Sequence, residues 1–84
     1  VKYKATIHIM PRPELLDPKG KATLLGLHNL GFDPIKTVRM GKQIELRLEA
    51  EDYDSASEYI NNACKKLLVN PIIEQYHFEL QEVK

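Results

Sequence analysis

The side chains that could move protons, attack carbonyls or hold metals are few in this chain and widely spread. Its three histidines, His8, His28 and His77, fall in three different stretches, and Cys64 is the single cysteine. A cysteine–histidine nucleophile needs sulfur and imidazole within hydrogen-bond reach. Cys64 stands instead on an apolar stripe at helical spacing, where it reads as a core thiol. No His-x-x-x-His or Cys-x-x-Cys spacing marks a metal site, and no Gly-x-Ser-x-Gly elbow occurs. Gly20-Lys21 has the glycine–lysine pair of a phosphate loop. Leu15, however, stands where that loop needs Gly, and Ala22 where it needs Ser or Thr. The expectation is a chain with no catalytic constellation, no metal ligands and no cofactor of its own.

Two groups of charged and glycine residues lie outside the apolar patterning: Lys19, Gly20 and Lys21, and Arg39, Gly41 and Lys42. Glycine lets another backbone approach closely, and the cations can meet carboxylates or phosphates. The plainer reading, a tight turn with solvated lysines, stands beside that one. Asp17 and Pro18 start a helix well, one as a capping acceptor and the other with a preset φ. The next residues work against it. Lys19 and Lys21 bring positive charge to the positive end of the helix dipole, and Gly20 gives up about 1 kcal/mol of helix propensity relative to Ala. Such a conflict between local rules marks residues kept for something other than folding.

The elements that must hold these groups follow from periodicity. Val1, Tyr3, Ala5, Ile7 and Ile9 alternate with Lys2, Lys4, Thr6, His8 and Met10, which predicts a strand with one buried face, ended by Pro11-Arg12-Pro13. His8 falls on the solvated side. A helix is predicted from Pro18 to about Leu30, with Gly31 suited to a left-handed cap. Its stripe Thr23, Leu24, Leu27 and Leu30 is expected to pack on the sheet. Leu25, beside Ala22 and Gly26, is either a partner-facing patch or an isolated exposed leucine.

After Asp33-Pro34, the residues Val38, Met40, Ile44, Leu46 and Leu48 share one parity. That favours one long strand bent at Gly41, with a hairpin pairing Met40 and Ile44 as the alternative. Ser55 and Glu58 fit a capping box, and Ala56, Tyr59, Ile60, Ala63, Cys64 and Leu67 follow helical spacing up to Asn70-Pro71. Tyr76, Phe78 and Leu80 then alternate against His77, Glu79 and Gln81 in a last strand.

The order strand–helix–strand–helix–strand predicts an α+β fold: a small two-layer sandwich, with an antiparallel sheet whose long middle strand is bent and both helices on one face. Its 84 residues are read as a single domain. A chain this short buries only about 60–65% of its unfolded surface, so pairing with another copy is a natural source of stability and a cover for sheet edges. Twelve basic and twelve acidic residues cancel, which argues against a general nucleic-acid or anionic-membrane binder. Tyr3, Tyr76 and Phe78 share the core-facing parity, so an aromatic platform for single strands is not expected. With one cysteine, no leader pattern and no apolar run near the ~20 residues of a membrane span, the expected location is the cytoplasm.

Leu16-Asp17-Pro18-Lys19-Gly20-Lys21-Ala22 resembles the Leu-Asp-Pro-x-Gly-x-Ala signature of the PurS family, the small subunit of phosphoribosylformylglycinamidine synthase. Val38-Arg39-Met40-Gly41-Lys42 with Glu45-Leu46, and Cys64 to Pro71 with Ile73-Glu74-Gln75-Tyr76, match in order and spacing, so the resemblance spans nearly the whole chain. It implies a non-catalytic adaptor, a homo-oligomer (dimer or tetramer) that bridges a glutaminase, PurQ, and a synthetase, PurL, and assists ammonia transfer between them. ATP, magnesium and glutamine would be used by those partners, which convert formylglycinamide ribonucleotide to formylglycinamidine ribonucleotide. Carried over by position, Asp17, Pro18, Gly20, Ala22, Arg39, Gly41, Lys42 and Glu45 are candidate partner-contact or structural residues, with Lys19 and Lys21 beside them. The rival from another class is a free-standing dimeric sensor that holds the anionic group of a small molecule at the same helix mouth.

Overall fold

A computed structural model describes all 84 residues. Strand β1 (Lys2–Pro11) is followed by helix α1 (Pro18–Asn29), strand β2 (Lys42–Glu49), helix α2 (Tyr53–Ala63), a π-helical turn (Cys64–Leu68) and strand β3 (Glu74–Val83). The three strands form one antiparallel sheet in the order β2-β1-β3, so the first strand is central. Tyr3, Ala5, Ile7 and Ile9 are buried on one face, as their alternation predicts. With Ile60, Cys64 and Val69 from the far side, Ala5, Ile7 and Ile9 make the core, and Tyr76, Phe78 and Leu80 of β3 pack against it half-buried.

α2 starts earlier than the Ser55–Glu58 capping box implies, within the acidic stretch Glu51 to Ser55. Asp52, rather than Ser55, is the cap, and its carboxylate accepts the Ser55 backbone N–H at 2.8 Å. Ala56, Ile60 and Cys64 then face the sheet, while Tyr59 and Leu67, expected on the same stripe, are exposed. The π turn accounts for Leu67. The Val69 N–H bonds back to the Cys64 carbonyl, five residues earlier, at 3.0 Å. That wider turn shifts the register, so Leu68 and Val69 point inward where an uninterrupted α-helix would present Leu67. On the sheet side, the Tyr76 hydroxyl donates to Asn61 Oδ1 at 3.1 Å and ties β3 to α2.

Two expectations are corrected. The middle strand in chain order is neither long nor central: β2 begins at Lys42, and residues 35–41 lie outside the ladder. The hairpin alternative is excluded as well, because Ile44 pairs with Ile7 and not with Met40. Nor does α1 lie on the apolar face beside α2. No residue of α1 joins the core, and Leu30 is 76% exposed.

The helix is held instead to the chain that returns from it. His28 Nε2 sits 2.7 Å from the Ile35 carbonyl oxygen at one end, and Asp17 bonds Met40 at the other. The half-buried residues of this arm are Thr23, Leu24 and Leu27 on the helix and Ile35 and Val38 on the return. The helix is thus tied by these bonds to its own return segment, and Leu30 at the end of its stripe stays in solvent. This is why Ile44, Leu46 and Leu48 of β2 stay only half-buried, and why the molecule measures 51 × 29 × 14 Å.

Candidate functional site

The two signature stretches meet at the base of this arm. Asp17 caps α1 by accepting the Gly20 N–H on Oδ1 at 3.0 Å, and its Oδ2 accepts the Met40 N–H at 2.9 Å. These two bonds, Met40 first and Gly20 second, stabilise the ionised form and hold the carboxyl below its ordinary pKa, with Arg39 and Lys19 adding to the effect. Pro18 occupies the first helical position, where no donor is lost. Gly20 is buried, and a Cβ there would run into the Val38 carbonyl oxygen. Gly41 is constrained in the same way by the Ile9 carbonyl and the Met10 sulfur. The close approaches that glycine permits are thus made by this chain's own backbone.

The cations divide into two sets. The Arg39 guanidinium donates to the Pro11 carbonyl oxygen, so it braces the junction between β1 and the arm. Lys42 Nζ lies 3.4 Å from Glu74, across the end of the sheet. Glu45 lies 3.8 Å from both Lys4 and Arg47, in solvent-screened pairs that contribute little to stability. Lys19, Lys21 and Ala22 are exposed, and neither lysine has a carboxylate partner within the chain. Of the ten signature positions, Lys21 and Ala22 have no packing, pairing or capping role in the isolated chain, and Lys19 contributes only through its charge near Asp17.

Between the arm and the sheet end lies an open recess of about 530 Å³, floored by Ile9 and lined by Leu15, Leu16, Met40 and Ile73, with Lys19, Lys42 and Glu74 among its polar groups. Leu16 is 66% exposed beside it. Leu16 and Ile73 lie in stretches that carry the resemblance, but neither they nor Leu15 are among the candidate contact residues read from it; the one further sign was an apolar pair in a stretch without periodicity. Arg12 was also missed. It donates from Nε and Nη2 to the Pro71 carbonyl oxygen at 3.0 and 2.6 Å and pins the turn before β3 against the start of the loop.

The remaining chemistry-bearing residues lie elsewhere. Cys64 is fully buried, and burial pushes its thiol pKa up, away from the thiolate. His28 is engaged with Ile35. Strand register brings His8 and His77 face to face, with ring centroids 4.7 Å apart, a pairing that sequence spacing does not reveal. No three His, Cys, Asp or Glu side chains stand together as a metal site.

The family model described as PurS, phosphoribosylformylglycinamidine (FGAM) synthase, matches residues 4–82. The PurS subunit of Synechocystis is 46% identical over 78 residues, covering 93% of this chain and 78% of the relative. Among solved structures, Methanocaldococcus jannaschii PurS superposes with a TM-score of 0.87 at 33% identity, covering 98% of this chain and 99% of that one. A chain of the Thermotoga maritima PurLQS structure does so with a TM-score of 0.89 at 35% identity, covering 95% and 98%. Matched over nearly its full length by model, sequence and fold, with the arm and its glycine joints carrying the signature, the chain belongs to the PurS family of FGAM synthase.

Proposed function

We propose that this chain is the small, non-catalytic adaptor of a glutamine-dependent FGAM synthase, holding a PurQ-type glutaminase against a PurL-type synthetase while ammonia passes between them. The observation that carries this reading is the full-length likeness to a chain of the PurLQS structure. The chemistry supplies the need: ammonia that escapes into water is protonated and loses its nucleophilic lone pair, so two active sites must be held in register and the route kept from bulk solvent. ATP, magnesium and glutamine are handled by the partner subunits, and the complex works in the cytoplasm. No helix here is long and apolar enough to cross a membrane.

The exposed charges at the entrance of α1, Lys19 and Lys21, with Ala22 and Leu16 beside them, face a partner subunit. A second copy of the chain covers the other incomplete surface. The N–H groups of Lys36, Thr37, Val38 and Arg39 have no acceptor within the chain, along an irregular stretch that leads into edge strand β2. An unpaired edge of that kind is a template for strand addition. With Ile44, Leu46 and Leu48 half-bare next to it, it supports a homodimer.

Gel filtration with light scattering tests both parts. The chain alone should run as a dimer or larger and should co-elute with the glutaminase and synthetase subunits when glutamine and nucleotide are present. A monomer that ignores both enzymes, yet shows a ligand-dependent melting shift by itself, would favour the sensor reading.

A further inference from the structure

The polar face of the sheet carries a feature that the adaptor role does not use. His8 of β1 and His77 of β3 are direct register partners. Their imidazoles stack with centroids 4.7 Å apart and planes inclined by 24°. Glu79, next but one along β3 on the same face, places Oε1 3.7 Å from His8 Nε2. Neither ring makes a hydrogen bond to any other protein group, whereas the third imidazole, His28, is committed to the Ile35 carbonyl. A small recess of about 180 Å³ opens over the pair beside Met10 and Gln75.

Two imidazoles with free ring nitrogens, fixed on adjacent paired strands, need only rotate about their side-chain bonds to direct two nitrogens at one point. Imidazole is a preferred ligand of zinc, copper and nickel, with metal–nitrogen distances of about 2.0–2.1 Å for zinc. A rigid strand pair lowers the ordering cost of chelation. A carboxylate beside one ring can orient it or neutralise charge at the ion.

We infer that His8 and His77 form a two-imidazole site for a divalent transition-metal ion, with Glu79 as its charged neighbour and the other coordination positions open to water or to a bound partner. With only two protein ligands, the site is open rather than a closed structural cage. An ion held there clips β3 to β1 and stabilises the folded chain by mass action. The inference stands on the sheet alone and is independent of the partner assignment.

The test is titration of the intact chain with nickel sulfate, followed by calorimetry and by the imidazole resonances in nitrogen-edited NMR, with zinc and magnesium as comparison ions. One nickel per chain should bind, broadening the His8 and His77 ring signals together and leaving those of His28 sharp. Zinc should compete and raise the melting temperature; magnesium should do neither. Binding should be lost in His8→Gln and in His77→Gln and kept in His28→Gln. Absence of saturable nickel or zinc binding overturns the proposal, as does binding that survives either His8→Gln or His77→Gln. Should a variant fail to fold, the ring signals of the unaltered chain decide: broadening at His28 alone, or at one ring of the pair alone, also overturns it.

Discussion

The Asp17 carboxylate accepts the backbone N–H of Met40 at 2.9 Å across 23 residues of sequence. The same carboxylate caps the helix through Gly20, so one side chain fixes both where α1 begins and how its return segment meets the sheet. Removing it should loosen the arm without dissolving the core, since no arm residue belongs to that core.

The bond has a pH signature. Because the Met40 and Gly20 N–H groups hold the Asp17 carboxyl below its ordinary range, its contribution is complete above the unfolded carboxylate pKa and is lost as pH falls through the lowered folded value. Asp52, lowered by the Ser55 N–H, behaves in the same way at α2. Carbon-detected NMR titration should find both carboxyls titrating below the usual carboxylate range, and Asp17→Asn should remove the acid-side loss of protection at the Met40 amide. An ordinary pKa at Asp17 would contradict the geometry.

Gly20→Ala and Gly41→Ala should each destabilise by about 1–3 kcal/mol, the usual cost of forcing an extra carbon into a closed contact, because the new Cβ meets a carbonyl oxygen at both sites. Helix propensity alone gives the opposite sign at position 20, where Ala should gain about 1 kcal/mol. Thermal melts therefore discriminate cleanly: a fall of several degrees per kcal/mol is expected for a domain of this size, and a rise at Gly20→Ala would refute the contact.

Lys19→Glu with Lys21→Glu should leave the melting temperature unchanged or slightly raised. Both side chains are exposed and lack carboxylate partners, and acidic residues suit a helix N-terminus by about 0.3–1 kcal/mol. Co-elution with the synthetase and glutaminase subunits should weaken. Intact assembly by a chain that melts early would reverse the roles assigned to these lysines.

Cys64 should resist a thiol reagent in the native chain and react stoichiometrically once the chain is unfolded, because its sulfur is buried and its pKa is raised by desolvation. Rapid native labelling would reopen a nucleophilic role.

What the residues disclose in advance follows their physics. Strict alternation gave β1 and the core-facing parity of β3, and the Asp17-Pro18 start gave the onset of α1 to the residue. The end of that helix was equally legible, with Gly31 at φ +95° as its left-handed cap. The fate of the α1 stripe was not. Leu24 and Leu27 report that a surface is covered, and periodicity is silent on whether a sheet or the chain's own return covers it. Parity likewise read Val38 and Met40 as strand, when the Met40 N–H is taken by a carboxylate 23 residues away. The π turn left no trace in the spacing, and Leu67 was misplaced for that reason.

At the candidate site, the odd residues were visible as oddities, but their division was not. Gly20 and Gly41 proved to serve close approach within this chain, which leaves Lys19 and Lys21 as the exposed cations without an ion-pair partner in it.

The most direct measurement is glutamine-dependent formation of FGAM by purified synthetase and glutaminase subunits, with and without this chain. The adaptor account predicts that the chain has no turnover alone, that glutamine-driven synthesis by the other two depends on it, and that the Lys19→Glu, Lys21→Glu variant restores it poorly. Undiminished glutamine-dependent synthesis in its absence would contradict the account, as would turnover by the isolated chain.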